Sequence, residues 1–279
     1  MGTERERQAN SDRWQALPDE QETATPDYRN ASRAVELIER FKGRQPFFLA
    51  LGFAKPHTPF LAPKKYFDLY RPSEIPLPSN LAPKPTGDSP SIRANWDLFS
   101  VRDATPELAR QAIAAYYASI SFIDAQLGRV LAALDNAGLR QNTIIAFFGD
   151  NGWHLGEWGI WGKTTLFEPS CRVPMIVSAP GMAAGQTCPR TVEFLDLYPT
   201  LVELAGVPRR EGLEGASLAP LLGKPAAGWD RPAYSFLERK GSLAVSLRDE
   251  RYRYTEWPGG FSELFDYQTD CASRSCRSV

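Results

Sequence analysis

The run from Thr143 to Pro174 constrains the fold of this chain more than any other part of the sequence. It opens with Thr143–Phe148, a β-branched and aromatic segment of the length expected for a strand buried on both faces. The segment stops at Gly149-Asp150-Asn151-Gly152, where two small oxygen-bearing side chains lie between glycines. Because open α/β sheets bind ligands beyond the carboxyl ends of parallel strands, this pattern predicts a site for a hard cation or an anionic substrate at Asp150 and Asn151.

An alternation of helices and strands before this run predicts the fold class. Residues 28–42 carry apolar side chains on one helical face, and Pro46–Phe53 reads as a second buried strand. Thr105 can cap a long helix, whose apolar residues recur at three- and four-residue steps until Gly138 ends it. This order favours an α/β fold with a parallel sheet flanked by helices.

Changes in polarity and periodicity along the chain suggest three regions. Residues 1–27 are polar and aperiodic and are expected to form an irregular segment, and residues 28–230 are expected to form the α/β domain. Short alternating runs in 231–279 predict a small antiparallel subdomain. The proline-rich stretch 60–104 is an irregular excursion of the length typical of a functional lid or wall.

Composition excludes several classes of partner. The 33 acidic and 32 basic residues nearly cancel, so neither a nucleic-acid groove nor a polybasic membrane patch is expected. No apolar run approaches the roughly 20 residues of a membrane span, and the charged amino terminus lacks the apolar core of a secretory signal. The four cysteines have neither metal-site spacing nor the density of a disulfide scaffold, so disulfide pairing stays open.

The two histidines of the chain both follow predicted strands. His57 lies in the stiff turn Lys55-Pro56-His57-Thr58-Pro59, where each proline fixes its own φ and restricts the residue before it. His154 follows the strand at 143–148. If the sheet is parallel, both strand ends open on the same edge, so these histidines are expected to converge with Asp150 and Asn151.

Lys163 is a further candidate because it follows the Gly/Trp-rich loop 156–162. The glycines of that loop permit unusual backbone angles, so the loop could fold the ammonium group back over the site.

Each candidate also has a structural interpretation. Asp and Asn between glycines commonly form a turn, and a histidine is often a satisfied structural residue. A lysine near a turn is usually solvated, and Trp153, Trp158 and Trp161 are equally suited to core packing.

Two long motifs in this chain resemble a known family. Residues 47–60, FFLALGFAKPHTPF, resemble the "PFFLAVGFxKPHxPF" segment of sulfatases of the iduronate-2-sulfatase-like group. Residues 143–174 are similar to the "TIIxFxxDHGxxLGEHGxWxKxxxFExxxxVPxI" segment of the same group. Residues 263–270, ELFDYQTD, resemble its C-terminal "ELYDLxxDP".

This resemblance implies an alkaline-phosphatase-like α/β fold, which is incomplete here. It also implies an enzyme that hydrolyses sulfate esters of small molecules or carbohydrates at a Ca²⁺ site. Oxygen ligands suit that cation. The roles that the resemblance implies are metal ligands for Asp150 and Asn151, sulfate contact and leaving-group protonation for His57, sulfate binding for Lys163, and substrate-side contact for Lys55 and His154.

The sequence also departs from the family pattern. Those sulfatases carry an acidic pair that completes the metal site and a Cys/Ser-x-Pro/Ala-x-Arg motif whose first residue becomes formylglycine, the nucleophile. Neither is found here, Trp158 replaces the usual His of "GEHG", and the pattern is lost after Asp270. We therefore expect the C-terminal part of a sulfatase, a fragment that lacks the nucleophile and is inactive alone.

Two alternatives remain open. One is a phosphoesterase of the same superfamily that uses Zn²⁺, although that class usually needs more histidine ligands than the two present. The other is a non-catalytic binding module or a decaying gene product. Family sulfatases mostly work in the periplasm, in secretions or in lysosomes, so the localisation of this chain, like its oligomeric state and the organic part of its substrate, is left open.

Overall fold

The structure is a computed structural model that describes residues 12–92, 98–239, 241–269 and 277–278. Expectations for residues 1–11, for Cys271 and Cys276, and for the change of pattern after Asp270 fall outside these residues. The chain divides into two compact units. The first unit comprises the described residues within Met1–Asp88, Ile92–Gln141 and Trp153–Gly162, and the second comprises those within Ser89–Ser91, Asn142–Gly152 and Lys163–Val279.

The first unit contains two strands and three α-helices together with short 3₁₀ turns. Its elements are β1 (Trp14–Leu17), a 3₁₀ turn (Asp19–Ala24), α1 (Pro26–Phe41), β2 (Phe60–Pro63), α2 (Lys64–Phe67), a 3₁₀ turn (Pro72–Glu74), α3 (Pro106–Asn136) and the start of a 3₁₀ turn (Arg140–Asn142). Strands β1 and β2 pair in parallel. Residues 14–17 and 19–24 therefore form a strand and a 3₁₀ turn, where the sequence suggested irregular chain.

Helix α3 confirms the long helix that the sequence predicts. The Thr105 hydroxyl accepts a hydrogen bond from the N–H of Leu108 and so caps the first turn. Gly138 follows the helix with a φ of +70°, the left-handed angle that commonly ends a helix. No helix among the described residues combines the length and the apolar character needed to cross a bilayer.

The core of the first unit packs an alanine-rich face of α3 against the chain between β2 and that helix. Its buried residues are Phe60, Ile75, Leu98, Phe99, Ala104, Ala109, Ala112, Ile113, Ala114, Ala115 and Trp161. Small alanine side chains allow the large rings to approach the helix closely. The excursion 60–104 thus supplies part of the core of the first unit, and its role as a lid or wall stays a prediction.

Residues 45–54 form no strand, which corrects the strand expected at Pro46–Phe53. A strand requires a neighbouring strand that accepts and donates its backbone hydrogen bonds. Within the part of the chain that the structure describes, no strand pairs with this segment. An apolar sequence can predict extended backbone, but not the presence of its partner.

The second unit contains two sheets and short helices. Its elements are β3 (Ile145–Phe148), α4 (Glu168–Cys171), β4 (Met175–Ser178), a 3₁₀ turn (Phe194–Asp196), α5 (Leu197–Leu204), α6 (Ala219–Gly223), β5 (Ala233–Arg239), β6 (Ser242–Arg248), β7 (Tyr252–Trp257), β8 (Phe261–Asp266) and β9 (Arg277–Ser278).

Strand β3 differs from its sequence-based description. It pairs antiparallel with β4, Ile145 opposite Ser178 and Phe148 opposite Met175, and it has no parallel neighbour among the described residues. Residues 145–147 of this strand are half-buried, and Phe148 is 44% exposed. The expectation of a parallel strand buried on both faces is therefore not met, because an apolar run does not specify which strand lies beside it.

The carboxyl-terminal sheet confirms the predicted antiparallel subdomain. Strands β5 to β9 form one five-stranded sheet in sequential order, and each neighbouring pair is antiparallel. In β7 the side chains of Arg253, Thr255 and Trp257 are buried while those between them are exposed. This alternation is the period-two pattern on which the prediction rested.

Candidate functional site

The turn that holds His57 is organised by the ammonium group of Lys55. The Lys55 Nζ donates to the carbonyl oxygen of His57 at 2.9 Å and to that of Pro59 at 2.8 Å. Burial lowers the pKa of Lys55, although the nearby charge of Asp27 opposes that effect. The Asp27 carboxylate also accepts the N–H of Ala54 at 2.6 Å, which fixes the entry to the turn on the first turn of α1.

The imidazole of His57 is exposed, and its tautomer is set by its own turn. The ring Nδ1 lies 2.8 Å from the carbonyl oxygen of Thr58, which can only accept a hydrogen bond. A neutral ring therefore carries its hydrogen on Nδ1 and keeps Nε2 as the basic nitrogen. The indole of Trp153 lies against the ring with 5.9 Å between centroids.

His154 occupies a different environment in the first unit. Its side chain is fully buried, and its Nδ1 lies 3.6 Å from Oε2 of Glu157. Burial by itself raises the pKa of Glu157, but its interactions with His154 and the N–H of Leu155 outweigh burial, so the pKa lies below its usual value. The Leu155 N–H donates to the Glu157 carboxylate at 2.7 Å.

Two glycines let the loop after His154 pack closely on residues 80–86. Gly156 has a φ of +110°, and a Cβ there would lie 2.6 Å from the Leu81 side chain. Gly159 has a φ of +74°, and a Cβ there would overlap the Lys84 carbonyl. Trp158 between them also takes a positive φ of 51° and bonds through its N–H to the carbonyl of Asn80 at 3.1 Å. The glycines therefore serve close packing in this loop.

In the second unit, the loop after β3 is held at both ends. The N–H of Gly149 donates to the carbonyl of Pro174 at 3.2 Å, and the N–H of Gly152 donates to that of Ser170 at 2.8 Å. A Cβ at Gly152 would overlap the carbonyl oxygen of Pro169 in α4 and lie 3.2 Å from that of Arg172. Only glycine allows this loop to approach α4 so closely.

The Asp150 carboxylate and the Asn151 amide are the donors that this loop presents. Asp150 is exposed and Asn151 is half-buried. None of the ion pairs within the described residues involves Asp150. The same residues contain no group of three or more His, Cys, Asp or Glu side chains that could hold a metal ion. A carboxylate and an amide oxygen are suitable ligands for a hard cation, but these two residues supply a minor part of the ligands that such an ion needs.

Lys163 begins the segment that leads into α4. Its side chain is half-buried, and its carbonyl accepts the N–H of Thr165 at 2.9 Å. The Thr165 hydroxyl lies 2.7 Å from that of Ser170 within α4. The backbone around Lys163 is therefore tied to the same short helix that holds the Asp150–Gly152 loop.

A buried ion-pair network fixes α4, and sequence reasoning did not identify it. The Glu168 carboxylate accepts Nη2 of Arg253 at 2.7 Å and Nε of Arg248 at 3.3 Å. Arg253 is 2% exposed and comes from the inward face of β7. An arginine at an inward position of an alternating strand was the available signal, because such a charge needs a partner.

The structure brings the predicted residues together in two groups. Lys55 and His57 share one turn in the first unit, and Asp150 and Asn151 share one loop in the second. Lys163 belongs to the second unit, and His154 is buried in the first. Convergence of these groups on a single crevice stays a prediction, as does a substrate contact for His154.

Comparison with known proteins identifies the family. The family model described as "Sulfatase" matches residues 3–207, and the model described as "N-sulphoglucosamine sulphohydrolase, C-terminal" matches residues 156–275. A sulfatase from Formosa agariphila is 33% identical over 262 residues, which are 92% of this chain and 50% of the relative. Iduronate 2-sulfatase from Mus musculus is 35% identical over 230 residues, 69% of this chain and 42% of that protein.

The chain thus spans about half the length of the curated relatives it matches. Among solved structures, the phosphonate monoester hydrolase SpPMH from Silicibacter pomeroyi aligns with a TM-score of 0.78 at 24% identity, covering 94% of this chain and 59% of that one. This likeness shows the alkaline-phosphatase-like fold. Since the sulfatase model matches most of the sequence, the chain belongs to the sulfatase family, a family of sulfuric ester hydrolases.

Proposed function

We propose that this chain supplies part of the active site of an enzyme that hydrolyses sulfate monoesters at a Ca²⁺ ion. The observation that carries the proposal is the Asp150–Gly152 loop. It lies within the residues that the sulfatase family model matches. It presents a carboxylate and an amide oxygen, and the N–H groups of Gly149 and Gly152 both form backbone hydrogen bonds. A preorganised pair of oxygen donors favours metal capture because less order is lost on binding.

Asp150 and Asn151 are the residues that we assign to the metal. Their oxygens suit a hard cation that takes six or more oxygen ligands, so the remaining ligands must come from elsewhere. When bound, the ion would neutralise charge on the sulfate oxygens. With two side-chain donors, we expect Ca²⁺ to bind this chain with a Kd of roughly millimolar.

The chain's own cations would act on the anion and on the leaving group. Lys163 is proposed to donate to a sulfate oxygen through its ammonium group. His57, whose Nδ1–H is committed to the Thr58 carbonyl, is proposed to hold a proton on Nε2 and to deliver it to the leaving oxygen. Lys55 supports the His57 turn, and we retain substrate-side contacts for Lys55 and His154 as part of the proposal.

The nucleophile is proposed to lie in a part of the enzyme that this chain does not contain. The Cys/Ser-x-Pro/Ala-x-Arg sequence that yields formylglycine in the resembling sulfatases is absent from the 279 residues. Covalent catalysis needs such a group. We therefore propose that the chain is a fragment with very low activity by itself, and that the substrate of the whole enzyme is a sulfated carbohydrate, as in the relative named iduronate 2-sulfatase.

Metal binding to the isolated chain tests the assignment of the loop. Titration with Ca²⁺, or with Tb³⁺ monitored by luminescence, is expected to show weak binding that Asp150→Ala removes. Asp88→Ala, which removes an exposed carboxylate from a loop of the first unit, is the matched control and should bind like the wild type. Equal binding by the Asp150→Ala variant would refute the assignment.

Turnover tests the reaction class. The purified chain with Ca²⁺ is expected to release no 4-nitrophenol from 4-nitrophenyl sulfate above the Asp150→Ala level. The fold likeness to a phosphonate monoester hydrolase makes phosphoester hydrolysis the second candidate, so 4-nitrophenyl phosphate is assayed beside it. Metal-dependent release of 4-nitrophenol from the phosphate ester alone would favour a phosphoesterase. If a longer gene product bound sulfate esters without turning them over, the chain would instead be part of a binding module.

The DNA upstream of the Met1 codon tests the proposal of a fragment. An in-frame run that encodes Cys/Ser-x-Pro/Ala-x-Arg is expected if the missing part of the enzyme belongs to the same gene. A region interrupted by stop codons would instead favour a decaying gene product.

A further inference from the structure

The dipeptide Asn151-Gly152 carries a chemical reactivity that the proposed function does not use. It is the one Asn-Gly pair in the 279 residues. The backbone nitrogen of the residue after an asparagine can attack the carbon of the side-chain amide, and glycine permits this attack best because it has no Cβ to obstruct it. Asparagine is accordingly among the thermally labile residues of proteins. The sequence therefore places a reactive pair in the loop that follows β3.

The reaction of such a pair releases ammonia and consumes water. The Gly152 nitrogen gives up its proton and bonds to Cγ of Asn151, the bond from Cγ to Nδ2 breaks, and the amide nitrogen leaves as ammonia with that proton. Water then opens the resulting succinimide ring at either of its carbonyl carbons. One opening leaves aspartate at position 151, and the other leaves isoaspartate, whose backbone is longer by one carbon. Both products replace a neutral amide by a carboxylate.

The folded chain keeps the attacking nitrogen away from this reaction. The N–H of Gly152 donates to the carbonyl oxygen of Ser170 at 2.8 Å, so its proton is committed to α4. The position that a Cβ of Gly152 would take is filled by the carbonyl group of Pro169. A backbone packed this closely cannot turn its nitrogen toward the Asn151 side chain while it stays on the helix. The reaction thus requires the loop to separate from α4.

We infer that Asn151 is a deamidation site that the contact between Gly152 and α4 keeps unreacted, and that each opening of this contact exposes the amide to conversion into a carboxylate. Packing on Pro169 requires glycine at position 152, so a larger residue cannot remove the reactive pair. The hydrogen bond to Ser170 is the feature that protects it. The chemical lifetime of the Asp150–Gly152 loop is therefore set by the stability of its attachment to α4.

This attachment depends on contacts that α4 makes with the rest of the second unit. The Glu168 carboxylate accepts Nη2 of Arg253 at 2.7 Å, and the Thr165 hydroxyl lies 2.7 Å from that of Ser170. Local opening of an element is an equilibrium whose free energy falls when its supporting contacts are removed. Variants that weaken these contacts are expected to speed the deamidation of Asn151 without altering the reacting residues.

The consequence for metal binding rests on the proposed function of the loop. If Asn151 supplies an amide oxygen to a hard cation, its conversion into aspartate adds a negative charge beside the Asp150 carboxylate. The affinity of such a site rises with the charge of its ligands, so this product is expected to bind the ion more tightly. Isoaspartate displaces the side chain and lengthens the loop, so that product is expected to bind the ion less well. The deamidation itself needs no metal.

The test follows the mass of the peptide that contains Asn151 while the purified chain is incubated at neutral pH without added metal. Deamidation is expected to be at least ~100-fold slower in the folded chain than in the chain unfolded in guanidinium chloride. Hydrogen exchange of the Gly152 amide, measured by NMR, requires the same opening and should be slowed by a similar factor. Agreement of the two factors would identify the bond to Ser170 as the protecting contact.

Two variants loosen α4, and a third is their control. Thr165→Val and Arg253→Met should each raise the rate of deamidation in the folded chain by at least ~5-fold, because each removes a hydrogen-bonding group. Thr165→Val is the milder change, so it decides the test if Arg253→Met fails to fold. Arg172→Met removes a side chain that is 77% exposed and should react at the wild-type rate.

A reference residue and a product variant complete the experiment. Asn142 is exposed and precedes the β-branched Thr143, so it should deamidate more slowly than Asn151 in the unfolded chain. Asn151→Asp reproduces the aspartate product, and Tb³⁺ luminescence titration should show binding at least ~3-fold tighter than that of the wild type. Equal or weaker binding by this variant would refute the metal assignment of Asn151 and would leave the deamidation result intact.

Three results would each overturn the inference. They are equal rates of deamidation in the folded and the unfolded chain, a folded-state rate that neither Thr165→Val nor Arg253→Met increases, and reaction of Asn142 ahead of Asn151 in the unfolded chain. The first two would show that the contact with α4 does not protect Asn151, and the third would show that the Asn-Gly pair is not the reactive one.

Discussion

The guanidinium of Arg253 donates to the carboxylate of Glu168 at 2.7 Å, and this pair joins the carboxyl-terminal sheet to the helix that holds the Asp150–Gly152 loop. Arg253 is buried on β7, and Glu168 opens α4. The N–H of Gly152 bonds the carbonyl of Ser170 in the same helix. The sheet, the helix and the loop therefore form one connected support within the second unit.

Removal of Arg253 is predicted to destabilise the second unit. Arg253→Met leaves the half-buried Glu168 carboxylate with a weaker set of partners, and breaking a buried ion pair costs about 3 kcal/mol. The free energy of unfolding is measured by urea denaturation. Arg172→Met is the matched control, since Arg172 lies 3.9 Å from the same carboxylate with its side chain 77% exposed and should contribute less than about 0.5 kcal/mol. Equal losses in both variants would contradict the role of burial.

The same pair predicts how stability depends on pH. Burial alone raises the pKa of Glu168, but the hydrogen bonds and charges of Arg253 and Arg248 outweigh it, so the folded-state pKa lies below the usual 4.5. A carboxyl group with a depressed pKa contributes stability above its unfolded pKa and loses it as the pH falls through the folded pKa. We expect the free energy of unfolding to fall below pH 4.5, by up to about 1.4 kcal/mol per pH unit from this group.

Glu168→Gln isolates this contribution. Its unfolding free energy should depend less on pH below 4.5 than that of the wild type, whatever its value at neutral pH. If the unfolding free energies of the two proteins change equally with pH below 4.5, other carboxyl groups, such as Glu157, account for the loss of stability in acid.

Gly152→Ala is predicted to disturb the loop that carries Asp150 and Asn151. The new Cβ would overlap the carbonyl oxygen of Pro169, a backbone atom that cannot move without displacing α4. Overpacking of this kind costs about 1–3 kcal/mol, and Tb³⁺ luminescence titration should show weaker binding. Gly149→Ala is the control at the other end of the loop, where the nearest atom would lie at an ordinary 3.6 Å. Retention of metal binding by Gly152→Ala would count against a preorganised loop.

Lys55→Met is predicted to loosen the turn around His57. It removes the donor to the carbonyls of His57 and Pro59, at a cost of about 1–2 kcal/mol. Long-range ¹H–¹⁵N NMR of the neutral ring should show the Nδ1–H tautomer of His57 in the wild type and a mixture in the variant. His57→Gln assigns the signal, since the chain has two histidines.

Lys64→Met is the control for the loss of an amine. Lys64 forms an exposed ion pair with Asp68, so its removal should leave both the tautomer and the stability nearly unchanged. An Nε2–H tautomer in the wild type would contradict the hydrogen bond from Nδ1 to Thr58.

Features that depend on local sequence were predictable. The cap at Thr105 and the glycine at Gly138 bound the long helix, because a helix satisfies most of its hydrogen bonds within itself. The alternating runs of residues 231–279 predicted the antiparallel strands, because successive side chains of a strand point to opposite faces. The family and its motifs followed from residues 47–60 and 143–174, since long motifs in a fixed order are specific.

Features that depend on distant partners were decided by the tertiary structure. The apolar runs at 47–53 and 145–148 predicted strands. Among the residues that the structure describes, the first pairs with no strand and the second pairs antiparallel with β4. The hydrogen bond between Arg253 and Glu168 joins residues that lie far apart along the chain. The burial of His154 likewise depends on the packing of other segments around it. Local periodicity and motif were enough to predict the family, helices α1 and α3, strand β3 and the carboxyl-terminal antiparallel strands. Which strand lies beside which, and which charge is buried against which, was decided only by the tertiary structure, because strand pairing and burial join residues whose separation along the chain leaves no periodic signal.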